Sequence, residues 1–245
     1  MRKITILIAL FISVTCGCQN SDLEVAPTEN LVGNEQLIPL RETFDFTYKG
    51  QTYSSLYHME NDTLMILEDE QVAALYDQLQ ELPELATYVT PEGNIEYYDT
   101  SDELLQNKQF RGNNISTRSY TSNTLILYLY QDYLYNTRSN GNAMMLTFNA
   151  GSPISVPNLD TYNFEDKLSS LRVLRNGGWL GYGGSSAIIL YRNKNYEAQS
   201  ITFTFINTPS SMYVLEVENL RNYKVKKGIN WNDRVSSFRV VQIAD

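Results

Sequence analysis

The chain has 245 residues, of which 42% are hydrophobic, 12% aromatic and 19% charged, with 18 tyrosines. That is enough apolar surface for one or two packed domains, and the Tyr-rich, charge-poor mix excludes a disordered or coiled-coil chain. A formal charge of -9 leaves no basic stripe to displace phosphate counterions, which argues against nucleic acid as a partner.

Arg2 and Lys3 precede an apolar run from Ile4 to Val14. The run is too short to anchor a chain across a bilayer and has the length of a signal-peptide core. It ends in Thr15-Cys16-Gly17-Cys18, which resembles a bacterial lipobox with a small residue before the acceptor Cys18. It departs from that pattern at Thr15, and Cys16 is a second candidate acceptor; a plain secretory signal with incidental cysteines is the alternative. The expectation is a signal peptide over 1–17 and lipidation at Cys18. The acyl chain would be the only membrane attachment, since nothing later approaches 18 consecutive apolar residues. The short acidic stretch with Asp22 and Glu24 resembles the tethers of Bacteroidetes lipoproteins, which implies an outer-membrane or cell-surface location. Residues 18–41, holding Pro27, Gly33 and Pro39, read as a flexible tether. No cysteine follows Cys18, so the remainder has no disulfide, no thiolate zinc site and no cysteine nucleophile.

Phe44, Phe46 and Tyr48 alternate with polar residues, Lys49-Gly50 punctuates, and Tyr53 and Leu56 open a second run; this predicts a hairpin. Asn61-Asp62 marks another turn before Thr63 to Leu67. Val72, Leu75, Leu79 and Leu82 recur at helical spacing, with acids at Glu68 to Glu70 ahead of them and Pro83 as the stop. A small α+β domain is therefore expected over 42–106. Asn107 to Ser122, polar and holding Gly112-Asn113-Asn114, is the expected boundary.

From Leu125 onward short apolar, Tyr-rich runs alternate with Asn, Gly, Ser and Asp clusters, the pattern of an all-β sandwich. The region also repeats itself. Asn163-Phe164-Glu165-Asp166-Lys167-Leu168-Ser169-Ser170-Leu171-Arg172-Val173 returns as Asn230-Trp231-Asn232-Asp233-Arg234-Val235-Ser236-Ser237-Phe238-Arg239-Val240. Ahead of each copy stands a pair of tyrosines, Tyr130 with Tyr135 and Tyr191 with Tyr196. The same elements in the same order imply an internal duplication.

These residues resemble a βγ-crystallin domain, whose two Greek keys each open with an aromatic, four residues, an aromatic, one residue and a glycine. Each key later carries two Asn/Asp residues, two variable ones, a Ser/Thr and a Ser. Asn232-Asp233-Arg234-Val235-Ser236-Ser237 fits the second pattern throughout, and the first copy departs at Glu165. Both hairpins depart at the glycine, replaced by Thr137 and Ala198, and Trp179 resembles the tryptophan near the start of the second key. The implied fold class is mainly β: a C-terminal double Greek-key β-sandwich over 120–245, preceded by the small α+β domain.

In microbial members such paired loops bind calcium, a hard cation that takes carboxylate, hydroxyl and carbonyl oxygens. The resemblance implies one or two calcium ions held by Glu165, Asp166, Ser169, Asn232, Asp233 and Ser236. Asp166 with Ser169 and Asp233 with Ser236 are the side-chain pairs it suggests. Asp and Ser in such loops also serve as turn caps, the competing role. Catalysis has little to rest on: the one histidine, His58, sits in a predicted strand without a partner nucleophile, and no carboxylate pair stands out. The sequence thus predicts a calcium-binding, structural, non-enzymatic lipoprotein of the cell envelope. The alternative is a surface module for glycan or protein in which Tyr128, Tyr130, Tyr133 and Tyr135 form an aromatic strip.

Overall fold

The computed structural model describes residues 42–60, 64–111, 124–137, 139–149, 153–176, 183–207, 213–226 and 228–243. The expected signal peptide, Cys18, the tether, the Asn61-Asp62 turn and Trp179 lie outside the described residues.

The first hairpin forms as expected, from β1 (Glu42–Tyr48) and β2 (Gln51–Glu60). Lys49 and Gly50 both take positive φ, 50° and 76°, giving the two-residue turn whose twist matches that of paired strands. β3 (Leu64–Leu67) pairs with β2, and α1 (Glu70–Gln80) follows. Asp69 caps α1 by accepting the N–H groups of Gln71 and Val72 at 2.9 and 3.0 Å, two of the donors a helix start leaves without partners. The spacing of Val72, Tyr76 and Leu79 puts them on one face, where they pack on Phe46 and Tyr97. β4 (Ala86–Val89), β5 (Ile95–Tyr98) and α2 (Ser101–Asn107) complete this segment. α2 is too short to show periodicity, but its cap is legible: Glu103 N–H donates to Thr100 Oγ1 at 3.1 Å, and Glu103 Oε2 accepts the Asp99 N–H at 2.8 Å.

The rest of the described chain is strands joined by short 3-10 turns. After β6 (Phe110–Arg111) come β7 (Thr124–Tyr130), β8 (Ala143–Asn149), β9 (Ile154–Val156) and β10 (Ser170–Asn176). The second repeat supplies β11 (Gly183–Tyr191), β12 (Ser200–Asn207) and β13 (Tyr213–Val217). A short ribbon, β14 (Lys224–Lys226) with β15 (Ile229–Asn230), leads into β16 (Ser237–Ile243).

The protein is mainly β, and its two larger sheets share one apolar core. The smaller runs β13-β10-β7-β8; the larger runs β3-β2-β1-β5-β4-β12-β11-β16-β6, with β9 also on β16. Within the duplicated region each sheet therefore takes three strands from one repeat and one from the other. Leu125, Leu127, Leu129, Leu171 and Val173 of the smaller sheet meet Ile188, Leu190, Ile201, Phe203, Phe238 and Val240 of the larger. The alternation that turns these inward turns Ala187, Ile189 and Tyr191 outward, where they pack with Tyr88 and Leu104 of α2. β11 is thus covered on both faces, which is why Ala187 to Tyr191 reads as an unbroken apolar run.

The boundary expected at 107–122 does not divide the sheet. β4 pairs in parallel with β12, Ala86 opposite Ser200 through Val89 opposite Phe203, and Gln199 Nε2 donates to Leu82 O at 3.2 Å. Residues Pro39–Asp245 form one compact unit, because the strands of 42–106 would otherwise leave the β12 edge unpaired.

Candidate metal centre

The candidate centre is built by two loops that cross. Asp166 and Asp233 take left-handed backbone, φ 49° and 54°, a conformation that a short polar side chain tolerates. Each loop then bonds the other through the main chain. Asp166 N–H donates to Val235 O at 3.1 Å and Asp233 N–H to Leu168 O at 3.0 Å. Each is also pinned to the tyrosine opening its own repeat, Ser169 N–H on Tyr130 O at 2.9 Å and Ser236 N–H on Tyr191 O at 3.0 Å.

The side-chain approaches at this crossing run from one loop to the other. Ser169 Oγ lies 3.2 Å from Asp233 Oδ1 and Ser236 Oγ 3.4 Å from Asp166 Oδ1, because the loops lie side by side in opposite directions. All six sequence-predicted residues are thus brought to one crossing, but in two unequal halves.

On the Asp233 side, Ser169 Oγ also donates to Gln131 O at 2.5 Å, and Asn232 Nδ2 donates to Asp233 Oδ2 at 2.5 Å. Burial pushes the Asp233 carboxyl above its ordinary value, and the charge of Asp132 adds to that; the Ser169 and Asn232 hydrogen bonds and Arg221 oppose it. Asp132 is held by its own turn: Ser139 Oγ donates to Asp132 Oδ2, and Asp132 N–H donates to Asn136 Oδ1 at 2.9 Å. Gly141 lets this carboxylate lie close, since a Cβ at that position would push the Asp132 side chain aside. On the Asp166 side the corresponding place is filled differently. Lys194 Nζ lies 3.0 Å from Glu165 Oε2 and 3.8 Å from Asp160 Oδ2, so a protein ammonium already meets these carboxylates.

The hairpins fold over with Thr137 and Ala198 where the resemblance implied a glycine. Leu134, Tyr135 and Asn136 take φ of 50°, 58° and 57°, and Asn195, Tyr196 and Ala198 take 59°, 67° and 64°. The last serine of each motif clasps its hairpin. Ser170 Oγ accepts the Tyr135 N–H at 3.1 Å and donates to Asp132 O at 2.7 Å; Ser237 Oγ accepts the Tyr196 N–H at 3.1 Å and donates to Asn193 O at 2.6 Å. Tyr130 meets Tyr135 edge-on at 5.8 Å and Tyr191 meets Tyr196 at 5.6 Å. An arginine lies over each folded tyrosine, Arg172 3.3 Å from the Tyr135 ring centre and Arg239 3.7 Å from that of Tyr196.

No family model, curated protein or solved structure matches the chain. Its own geometry must carry the argument. Among the described residues no three His, Cys, Asp or Glu side chains cluster closely enough to hold a metal by themselves. A cation at the crossing would therefore rest on hydroxyl and main-chain oxygens together with Asp233, a donor set suited to a hard ion and unsuited to zinc. Sequence reasoning missed Gln131, Asp132 and Lys194. They sit between or next to the paired tyrosines of the two hairpins, and comparing the two interiors, Gln131-Asp132 against Arg192-Asn193, would have exposed the inequality. His58 lies on β2, its Nδ1 3.6 Å from Glu68, away from the crossing. Of the tyrosine strip, Tyr135 is buried, Tyr128 and Tyr130 stack half-buried at 5.9 Å, and Tyr133 is exposed.

Proposed function

We propose that this protein is a non-catalytic cell-envelope lipoprotein. In this reading its C-terminal half is a double Greek key of the βγ-crystallin kind that binds calcium where its two loops cross. The observation that carries the reading is the crossing itself: the serine of each motif lies beside the aspartate of the other, so oxygens from both repeats converge. The exchange of β9 and β13 between sheets supports the Greek-key assignment, since two intertwined keys produce that strand order. In this arrangement the α+β segment 42–106 extends the sheet of the second key. The apolar run Ile4 to Val14 followed by Gly17-Cys18 supports export and lipid attachment to the outer membrane or cell surface, and loss of palmitate labelling in a Cys18→Ser variant would test it.

The two halves of the crossing are not equal partners for an ion. Asp233, Ser169 and Gln131 O, with Asp132 close by, offer oxygens around a carboxylate whose burial and Asp132 neighbour disfavour its charged form. Glu165, next to Asp166, is already paired with the Lys194 ammonium. Calcium therefore binds first on the Asp233 side. The test is thermal unfolding of the purified protein in EDTA, in millimolar calcium and in millimolar magnesium. A calcium-specific rise in the midpoint, lost in Asp233→Asn, supports the proposal; an unchanged midpoint removes it.

A further inference from the structure

A cleft of about 760 Å³ opens between the β1, β2, β3 and β5 strands of the larger sheet, with α1, and the β14–β15 ribbon. Such a volume lies within the roughly 300–1,000 Å³ of small-molecule sites. Its two walls differ in chemistry. One is apolar and aromatic: Tyr57, Met65, Tyr76 and Tyr97, with Tyr76 and Tyr97 buried in the packing of α1 on β1 and β5 and Tyr57 fixed by donating to Glu42 at 2.5 Å. The other, from the segment entering and forming the ribbon, contributes Arg221 and Lys224.

Those two cations are the only charged residues among the described ones that line the cleft. In a chain of formal charge -9 this is a local inversion of sign, which favours a ligand of opposite charge. Lys224 makes no ion pair among the described residues, whereas Arg221 lies 5.9 Å from the Tyr133 ring and its charge also acts on Asp233. An apolar wall facing the unpaired Lys224, with Arg221 beside it, is complementary to a molecule with one apolar end and one anionic end.

We propose that this cleft binds an amphiphilic organic anion, its ring or acyl chain against the tyrosines and its carboxylate, sulfonate or phosphate held by Arg221 and Lys224. The proposal does not require calcium at the loop crossing, although Arg221 acts electrostatically on Asp233 as well as lining the cleft. Binding needs no covalent step: the apolar part leaves water and the headgroup gains charge-assisted hydrogen bonds.

The test titrates the purified protein with the aromatic sulfonate 8-anilinonaphthalene-1-sulfonate, followed by its fluorescence. Dodecanoate, dodecan-1-ol and dodecyltrimethylammonium then compete for the site. Saturable binding of one probe per chain is expected, displaced by dodecanoate at least about tenfold more effectively than by the alcohol or the cation, the ratio that one charge-assisted contact supports. Lys224→Gln weakens the probe about tenfold and Lys224→Arg keeps it, with both variants checked for an unchanged unfolding midpoint. Should Lys224→Gln prove unstable, the competition series on the unmodified protein still decides the matter. Equal displacement by dodecan-1-ol, unaltered binding in a folded Lys224→Gln variant, or the absence of saturable binding would each overturn the proposal.

Discussion

Ser170→Ala tests the account of how the hairpins fold. Ser170 is fully buried, and its hydroxyl both accepts the Tyr135 N–H and donates to Asp132 O. Alanine removes one oxygen and leaves a negligible cavity, so the effect comes from hydrogen bonding. The buried Tyr135 N–H loses its recorded partner, which costs about 1–3 kcal/mol, while Asp132 O, nearer the surface, recovers water for a net loss of about 0.5–1 kcal/mol. The hydroxyl also holds Leu134, Tyr135 and Asn136, three consecutive non-glycine residues at positive φ, in a conformation costing roughly 1–2 kcal/mol each. Without the clasp that strain is partly released by unfolding the turn, so the expected destabilisation is about 2–3 kcal/mol, or roughly 5–10 °C for a unit of this size. Urea titration and a thermal scan of Ser170→Ala, with exposed Ser155→Ala as the control, would measure it. A loss below about 0.5 kcal/mol, the range of an ordinary surface substitution, would refute the clasp.

Three further outcomes follow from the same geometry. Burial first, then the charge of Asp132, raises the folded Asp233 carboxyl above its unfolded value near 3.8. The stability linked to its protonated form is full below that value and is lost as pH rises through the folded one. In EDTA, Asp233→Asn should therefore flatten that decline and should not lower the midpoint at pH 7, and a marked destabilisation would contradict it. Lys194→Met should release Glu165 and Asp160 and raise the calcium count measured by calorimetry, and an unchanged count would contradict the ammonium's role. Arg239→Met should cost about 1 kcal/mol by uncovering the Tyr196 ring, readable as a shift in the urea midpoint at constant slope.

Much of the fold was legible because local chemistry dictated it. Lys49-Gly50 announced the first turn, and Val72, Leu75 and Leu79 with acids ahead and Pro83 behind announced α1. The recurrence of Asn163 to Val173 as Asn230 to Val240 announced the repeat. What stayed hidden depends on partners distant in the chain. Ala86 to Val89 reads as a short apolar run, and nothing local says that it pairs with Ser200 to Phe203 and so merges the first segment into the larger sheet. Thr137 and Ala198 stand where the resemblance implied a glycine, so no local signal in the sequence announced the folded hairpins. The left-handed backbone falls on Leu134, Tyr135 and Asn136 in the first hairpin and on Asn195, Tyr196 and Ala198 itself in the second, and the hairpins are held by Ser170 and Ser237, whose role shows only once the strands are assembled. The candidate site was legible as residues and illegible as geometry. Motif spacing places an aspartate and a serine in one loop, whereas the partner of each is supplied by the other.

That crossing makes a distinguishable prediction about calcium. An ion held by Asp233 and Ser169 needs both repeats folded and in register, so it binds the native state and not the unfolded chain, and its binding free energy appears as stability. At a hundredfold excess over the dissociation constant this amounts to about 2.7 kcal/mol, a midpoint rise of roughly 5–10 °C. If the crossed pair is the ligand set, Ser169→Ala should abolish the same increment as Asp233→Asn, and the double variant should lose no more than either alone, as expected of groups acting through one ion. Ser236→Ala should leave that increment in place, because its hydroxyl faces Asp166 at 3.4 Å. Ligands confined to a single loop require the reverse: Ser236→Ala would then match Asp233→Asn, and Ser169→Ala would be silent. Midpoints of the four variants, each in EDTA and in calcium, separate the two arrangements even if every substitution carries its own calcium-independent loss.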